Sequence, residues 1–240
     1  MANVLVVSAH PDDAELSAGG TIRKLVLENH KVVLLDCTAG ENGTRGNATL
    51  RKQEADNAAS ILGVAHREIL SMPDGHVSYC QEHVLTLVKK FREYKPDIII
   101  TSPPVERHPD HEAVHKLAVG ASFLCGLPKV LPDTYSSDYI RPQKIFCYQQ
   151  NYDLPEQNIV YVDVSNTWEV RENAILAYAS QFNVPDRYVS DEPQTILSRP
   201  EFMSEQQARC MHYGTRIGVQ YAEAFLVIGG IGVKSLSTLF

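Results

Sequence analysis

The sequence predicts an α/β fold with a doubly wound, mostly parallel sheet and helices on both faces. In the first half of the chain, short β-rich runs alternate with amphipathic stretches, and the connections between them are only a few residues long. Such alternation is typical of parallel strands joined by right-handed crossovers. The chain has 240 residues, of which 44% are hydrophobic. This suits one domain over residues 1–240, because a single α/β unit can reach about 250 residues.

Apolar periodicity assigns the elements of the first half in order. Short runs rich in Val, Ile and Leu are typical of buried strands, whereas longer stretches with apolar residues every three or four positions are helices. In one of these stretches, Val84, Leu87 and Phe91 share a face. We therefore expect strands at Val4–Ser8, Lys31–Asp36, Arg67–Leu70 and Asp97–Thr101, and helices at about Glu15–Glu28, Leu50–Leu62 and Gln81–Tyr94.

The second half is less regular. Proline and glycine predict loops over residues 123–141, and residues 183–200 form a long polar stretch that we expect to be a surface loop. Ser204 followed by Gln207 is a capping signal for a helix that extends to Arg216. The remaining periodicity predicts strands at Lys144–Gln149, Ile159–Val164 and Ala224–Ile228, and a helix at Trp168–Phe182.

Composition excludes several classes of protein. The net charge of −7 argues against nucleic acid or anionic membranes as main partners. No apolar run approaches the roughly 18 residues of a membrane span, and we expect no signal peptide, because a strand is predicted from Val4 onwards. Its five cysteines are scattered and never form a C-x-x-C pair, which indicates reduced thiols and a cytoplasmic protein. Even Cys37, at a strand end, is expected to be a buried structural thiol.

Two His-Pro-Asp turns stand out, and each follows a predicted strand. The first is His10-Pro11-Asp12, after the first strand, and the second is His108-Pro109-Asp110, after the fourth. In a doubly wound sheet the fourth strand returns to lie beside the first, and a crevice opens above their carboxyl ends. We therefore expect both turns at the lip of one crevice.

Two simpler explanations account for these residues less well. A dinucleotide site needs glycines directly after the first strand, but Gly19 and Gly20 come too late, and Asp36 as a ribose ligand is weak evidence without them. Asp12 and Glu15 could instead form a capping box at a helix start. Capping explains one turn alone, but it explains neither the recurrence of the motif nor the clustering of histidines at strand ends.

A metal site explains both turns together. A catalytic zinc ion takes three protein ligands of the imidazole and carboxylate type and leaves a position for water. His10 and either Asp12 or Asp13 could supply two ligands, and a histidine of the second turn the third. The spare carboxylate could act as general base. Because a 2-His-1-carboxylate set also suits Fe²⁺, the residues do not choose between Zn²⁺, Fe²⁺ and another divalent metal.

The chain resembles the LmbE-like, or PIG-L, zinc-dependent N-deacetylase family. The motif A-H-P-D-D-x-E matches residues 9–15 with Gly-Gly-Thr at 19–21, and H-P-D-H matches residues 108–111. Further similarity covers 40–46, Arg51, Glu54, 73–75, 121–129 and 218–225. The later segments resemble one branch, the N-acetylglucosaminyl malate deacetylase of bacillithiol biosynthesis. The resemblance implies the LmbE-like, Rossmann-like fold.

The resemblance also implies roles for individual residues. By motif position, His10, Asp13 and His111 would bind Zn²⁺ and Asp12 would be the general base. His108 would face the substrate, with Asp110 orienting its imidazole. Substrate contacts are expected from Arg51, because a guanidinium matches a carboxylate in a bidentate way, and, with less support, from Arg45, Arg107, Tyr221 and Glu223.

The function that follows is hydrolysis of the N-acetyl group of a GlcNAc-type sugar, with N-acetylglucosaminyl-L-malate as the expected substrate. Alternatives with the same motifs are a deacetylase of GlcNAc or chitooligosaccharides and an amidase of mycothiol or bacillithiol S-conjugates. From a different class, the chain could be a non-catalytic sugar- or nucleotide-binding domain. The resemblance further implies a homo-oligomer, with a hexamer as one form.

Overall fold

A single seven-stranded sheet organises the computed structural model, which describes residues 1–132, 139–184, 192–232 and Ser235. In chain order the strands are β1 (Asn3–Ser8), β2 (Lys31–Asp36), β3 (His66–Ile69), β4 (Ile98–Thr101), β5 (Lys144–Tyr148), β6 (Ile159–Asp163) and β7 (Ala222–Ile228). Across the sheet they follow the order β3-β2-β1-β4-β5-β7-β6. β1 to β5 pair in parallel, and β7 is antiparallel to both β5 and β6.

Helices cover both faces of this sheet, as the sequence predicts. They are α1 (Asp13–Leu27), α2 (Ala48–Leu62), α3 (Gln81–Tyr94), α4 (Pro109–Leu124), α5 (Trp168–Leu176) and α6 (Phe202–Ile217). Helices α3 and α4 enclose one hydrophobic core, α1, α2 and α5 enclose a second, and α6 packs against β6 and β7. Among the described residues, no helix has the length and apolar character needed to cross a bilayer.

The central position of β1 explains its sequence. Leu5 and Val7 point into one core, and Val4 and Val6 point into the other. A strand buried on both faces is apolar at every position. β1 lies between β2 and β4, so the predicted reversal of strand order occurs at β1, and the segments that follow β1 and β4 lie side by side.

The capping box that the sequence analysis weighed as an alternative does not form at the start of α1. The helix begins at Asp13, and Asp12, which precedes it, makes no side-chain capping bond. Glu15 is fully buried and instead accepts hydrogen bonds from Arg67 at 2.5 Å and from the Tyr178 hydroxyl at 3.1 Å. A buried arginine is a stronger partner for this carboxylate than a backbone amide.

The other differences from the predicted elements lie in the second half. α6 begins at Phe202, so Ser204 is not its cap, and the Ser204 hydroxyl donates to the Glu201 carbonyl. α5 stops at Leu176, and turns continue to Phe182. Of the two predicted loops, residues 133–138 and 185–191 lie outside the described residues.

The Gly-Gly pair of the first motif has a packing role. A Cβ atom at Gly19 would lie 2.9 Å from Cγ of Arg171, and one at Gly20 would lie 2.7 Å from Cβ of Val164. Any side chain at either position would force α1 away from these neighbours. The pair therefore sets how closely the helix behind the first turn approaches the rest of the fold.

Candidate active site

The two His-Pro-Asp turns meet in one cavity of about 350 Å³. It opens beside the carboxyl ends of β1 and β4, as the sequence predicts for the reversal point of the sheet. Loops after β2, β3 and β5 and residues of α6 complete its walls. The lining comprises His10, Asp12, Asp13, Leu16, Ser17, Gly40, Asn42, Gly43, Thr44, Arg51, Asp74, Gly75, Arg107, His108, His111, Gln149, Gln150, Asn151, Leu197, Phe202, Gln206 and Arg209.

Three side chains in this cavity have the spacing of a metal site. Nδ1 of His10 lies 3.5 Å from Oδ2 of Asp13 and 3.3 Å from Nε2 of His111, which lies 3.3 Å from Oδ1 of Asp13. Ligands at about 2.0–2.1 Å from a tetrahedral zinc ion are separated by about 3.3–3.4 Å. The donor set and its spacing therefore fit a divalent cation.

The opposite side of the His10 ring faces two carboxylates. Nε2 of His10 lies 3.1 Å from Oδ1 of Asp74 and 3.3 Å from Oδ2 of Asp110. These three residues form a second group whose donor atoms could hold a cation, and His10 with His108 and His111 forms a third. However, Asp110 already accepts the backbone N–H groups of Gly75 and Val77. A carboxylate behind a histidine typically orients a ligand whose other nitrogen faces the metal, which favours the Nδ1 side.

Charge in the site also favours a cation. Burial would raise the pKa of Asp13, but the charges and hydrogen bonds of His111 and His10 hold it well below its usual range. Burial would lower the pKa of His10, but hydrogen bonds to Asp110, Asp13 and Asp74 raise it well above its usual range. The carboxylates thus remain ionised and stabilise positive charge here, which is a proton on His10 or a cation that displaces it.

Asp12 lies beside this group in an unusual conformation. Its φ angle is +111°, a region that non-glycine residues rarely occupy. Nη2 of Arg51 donates to Oδ2 of Asp12 at 3.0 Å and to the Pro11 carbonyl at 2.5 Å. Burial raises the pKa of Asp12 to about 7, although Arg51 opposes the shift. Strained backbone and a perturbed carboxyl in a cleft are both features of functional sites.

Glycine is required where a loop crosses over Arg51. Gly40 has φ of +66°, and a Cβ atom there would lie 3.2 Å from Cζ of Arg51. Arg51 itself is only 5% exposed. The loop therefore packs directly against the guanidinium of Arg51, which bonds to Asp12. Contact between Arg51 and a substrate remains a prediction.

His108 differs from its predicted arrangement. Its Nδ1 accepts the backbone N–H of Asp110 at 3.2 Å and so caps α4. The expectation that the Asp110 carboxylate orients His108 is wrong, because that carboxylate faces His10. With Nδ1 engaged as an acceptor, the proton of the neutral ring is on Nε2. Burial, followed by the charges of His10 and His111, lowers the pKa of His108, which favours this neutral form.

Three of the candidate substrate-binding residues lie away from the cavity lining. The buried Arg45 binds the carbonyls of Ser180, Glu192 and Pro193 and thus ties two loops together. The Tyr221 ring stacks on Trp168, with ring centroids 4.4 Å apart. These contacts account for Arg45 and Tyr221 as structural residues, which corrects the expectation that they bind substrate.

Glu223 anchors the middle of α1. Its carboxylate accepts the N–H groups of Gly20 at 2.9 Å and Thr21 at 2.8 Å, and it lies 3.1 Å from Nε of Arg171. Only 2% of the residue is exposed. All of its oxygens are engaged within the protein, so the expectation of substrate contact is corrected here too.

Arg107 does line the cavity, and several residues that the sequence analysis did not select join it. Arg209 projects from α6, Asp74 lies behind His10, and Gln149, Gln150 and Asn151 follow β5. Asp74 falls in a matched motif, and the residues after β5 follow a strand end, so the sequence could have identified both as candidate site residues. It could not have identified Arg209, because an arginine on an amphipathic helix is typically a surface residue.

Comparison with known proteins shows what this chain is similar to. A family model described as PIG-L, GlcNAc-PI de-N-acetylase, matches residues 5–122. The diacetylchitobiose deacetylase of Thermococcus kodakarensis is 30% identical over 247 aligned residues, which cover 95% of this chain and 84% of the relative. The mycothiol S-conjugate amidase of Streptomyces coelicolor is 26% identical over 66% of this chain, which spans 64% of that relative.

A solved structure agrees with these matches. The N,N'-diacetylchitobiose deacetylase of Pyrococcus horikoshii, in complex with its inhibitor, is 27% identical with a TM-score of 0.80. The alignment covers 100% of this chain and 89% of that one. The similarity thus extends through the whole α/β fold and includes both turns of the cavity.

Proposed function

The chain belongs to the PIG-L family of N-deacetylases, and on this premise we propose that it removes the acetyl group of N-acetylglucosaminyl-L-malate in bacillithiol biosynthesis. Its relatives are deacetylases and amidases, so the chain is a hydrolase that acts on carbon–nitrogen bonds. The observation that carries the proposal is the pairing, in one cavity, of a 2-His-1-carboxylate donor set with the spare carboxylate of Asp12.

We propose that His10, Asp13 and His111 hold Zn²⁺. Their mutual donor distances of 3.3–3.5 Å and the carboxylates behind His10 support this assignment. When bound there, the cation would polarise the amide carbonyl and increase the acidity of a water molecule. Fe²⁺ would suit the same donors.

The chain's own residues then supply proton transfer and orientation. Asp12 has Oδ2 fixed by Arg51, so its other oxygen can accept the proton of the attacking water. Nε2–H of His108 is directed at the developing oxyanion, a contribution whose removal typically costs about 10²–10³ in rate. Because His108 is neutral in this arrangement, Asp12 returns its proton to the departing amine.

Two arginines support an acidic substrate. Among the described residues, the exposed guanidinium of Arg107 has no carboxylate partner, and the hydrogen bonds of Arg209 go to the Gln150 carbonyl and Oε1 of Gln149. Both line the cavity. A sugar that carries the two carboxylates of malate would pair with them, since hydrogen bonds to charged groups contribute about 1.5–3 kcal/mol.

The test compares acetate release from N-acetylglucosaminyl malate, free GlcNAc and diacetylchitobiose. We expect the malate compound to be preferred, and we expect Arg107→Ala to raise its KM about 10-fold or more without a matching change for GlcNAc. Arg216→Ala, which removes an exposed arginine that does not line the cavity, is the control. Equal rates on all three substrates would remove the malate assignment, and acetate release that survives chelation would remove the metal.

A second candidate is deacetylation of chitooligosaccharides. It is favoured by the diacetylchitobiose deacetylase that aligns with 95% of this chain. Preference for diacetylchitobiose in the same assay would establish it. Cleavage of mycothiol or bacillithiol S-conjugates is the corresponding test for the amidase alternative. A purely binding role is disfavoured because binding alone needs no spare carboxylate such as Asp12 beside the donor set.

Cytoplasmic localisation and a homo-oligomeric state remain part of this proposal. The scattered, reduced cysteines support the first. The second rests on the family resemblance, and the mass of the purified protein in solution tests it.

A further inference from the structure

Gln150, directly after β5, contacts one of the proposed metal ligands. Its Nε2 donates to Oδ1 of Asp13 at 2.8 Å, while the backbone N–H of His10 donates to Oδ2 of Asp13 at 3.0 Å. Apart from its contacts with the His10 and His111 rings, each oxygen of this carboxylate therefore accepts one N–H group. Gln150 is 8% exposed and Asp13 is 4% exposed, so these bonds are largely shielded from water.

The orientation of the Gln150 amide follows from this contact. An ionised carboxylate only accepts hydrogen bonds, so the amide must present its NH₂ group to Asp13. Oε1 then points away, and it is buried with no hydrogen-bond partner among the described residues. A buried carbonyl without a donor destabilises the folded state. The NH₂ group of Gln150 is thus paired with the proposed metal ligand, whereas its carbonyl oxygen is unpaired.

The neighbouring Gln149 provides a contrast. It is 6% exposed and lines the same cavity, but both ends of its amide are paired. Its Nε2 donates to the Tyr152 carbonyl at 3.1 Å, and its Oε1 accepts from Nη1 of Arg209 at 3.3 Å. The side chain of Gln149 therefore has contacts that stabilise the loop, whereas the side chain of Gln150 bonds to Asp13 alone among the described residues.

We propose that Gln150 is a positioning residue for Asp13 and sets the affinity of the site for its divalent cation at the expense of stability. The inference rests on the metal site of the proposed function. A carboxylate held on one side only has to be ordered when the cation binds, whereas the bond from Gln150 orders the Oδ1 side of Asp13 beforehand. Partners of this kind typically change metal affinity by about 10–100-fold.

The test replaces the amide with a thioether of nearly equal length. In Gln150→Met we expect the dissociation constant for Zn²⁺, measured by competition with a chromophoric chelator, to rise about 10–100-fold. We also expect the metal-free variant to melt no lower than Gln149→Met, because removal of the unpaired carbonyl offsets loss of the bond to Asp13. A role in packing alone would lower the melting temperature and leave the dissociation constant unchanged.

Gln149→Met is the matched control. It should lower the melting temperature, because two paired groups are lost, and leave the dissociation constant for Zn²⁺ within about 2-fold of the wild type. The inference is overturned if Gln150→Met binds Zn²⁺ as tightly as the wild type, melts lower than Gln149→Met, or does not fold. Failure of the wild type to bind Zn²⁺ would refute the proposed function as well, so the two failures are distinguishable.

Discussion

At the scale of single residues, Asp12 is where the structure departs furthest from ordinary geometry. Its φ of +111° is a conformation that costs about 1–3 kcal/mol for a non-glycine residue. The hydrogen bond from Arg51 to Oδ2 and the helix that starts at Asp13 hold it there. As a result, two consecutive carboxylates point in different directions. Asp13 lies beside the imidazoles of His10 and His111, and Asp12 lies beside Arg51.

This division predicts the behaviour of Asp12→Asn. Asparagine tolerates a positive φ and can still accept the Arg51 hydrogen bond, so the fold and the bound metal should be retained. The variant cannot accept a proton, and we expect kcat to fall by about 10²–10⁴-fold. Metal content by atomic emission and acetate release measure the two effects. Normal turnover, or loss of metal together with activity, would assign Asp12 a different role.

Sequence patterns predicted which residues line the cavity better than they predicted which atoms those residues contact. His10, Asp13 and His111 are found together because they end or follow strands whose positions are predictable. The partner of Asp110 was not predictable, because a carboxylate in the first turn of a helix can face a histidine of either His-Pro-Asp turn. Likewise, the role of Glu223 depends on a contact with Gly20 across 203 positions of the chain, which local patterns do not encode.

At the scale of elements, a buried charge cluster joins three of them behind the site. Arg67 on β3 binds Asp36 at the end of β2 through Nε at 2.7 Å and Nη2 at 3.1 Å, and it also binds Glu15 on α1. One guanidinium thus serves two buried carboxylates. Burial raises the pKa of Asp36 to about 6, although Arg67 opposes the shift and Glu15 adds to it.

This pKa predicts how stability changes with pH. An unfolded aspartate titrates near pH 4, so between about pH 4 and 6 the folded protein binds a proton that the unfolded chain has lost. The contribution of Asp36 is therefore full below pH 4 and falls as the pH rises through 6. From pH 4.5 to 6.5 we expect the free energy of unfolding of the wild type to fall by about 2 kcal/mol relative to Asp36→Asn. Urea unfolding of both proteins measures it, and parallel pH profiles would contradict it.

Helices and strands were predictable where a single pattern of apolar residues determines them. β1 and α3 match their predicted extents closely, because an apolar run or a 3.6-residue period is sufficient to specify each. The predicted helix over residues 168–182 fails after Leu176, since Tyr178 and Phe182 are buried by the turns that follow rather than by a helix. Periodicity reports which residues are buried and does not separate a helix from a compact succession of turns.

At the scale of the whole molecule, the packing of the sheet protects nearly every thiol. Cys37, Cys125, Cys147 and Cys210 are buried, and Cys80 is the partly exposed one. Burial raises the pKa of Cys147 to about 12 and that of Cys125 to about 11. The sequence prediction that Cys37 is a buried thiol is confirmed, since its exposure is 0%.

Thiol labelling therefore reports the integrity of the fold. With iodoacetamide at pH 8, we expect the native protein to react rapidly at Cys80 alone and the urea-unfolded protein to react at all five cysteines. Mass spectrometry of the intact protein counts the labels, and Cys80→Ser should abolish the fast phase. Rapid labelling of Cys37 would show that the core between β2 and the neighbouring helices opens under native conditions.

The anchoring of α1 by Glu223 has a consequence for where the enzyme's parts lie along the chain. All proposed metal ligands fall within residues 5–122, the stretch that the family model matches. Glu223, which holds α1 from β7, and Gln150, which holds Asp13 from β5, both lie beyond it. An amino-terminal fragment would carry both His-Pro-Asp motifs and lack the two contacts that hold α1 and Asp13 from the rest of the chain. The stretch that carries the motifs is therefore not expected to work on its own, and the smallest active fragment has to include β7.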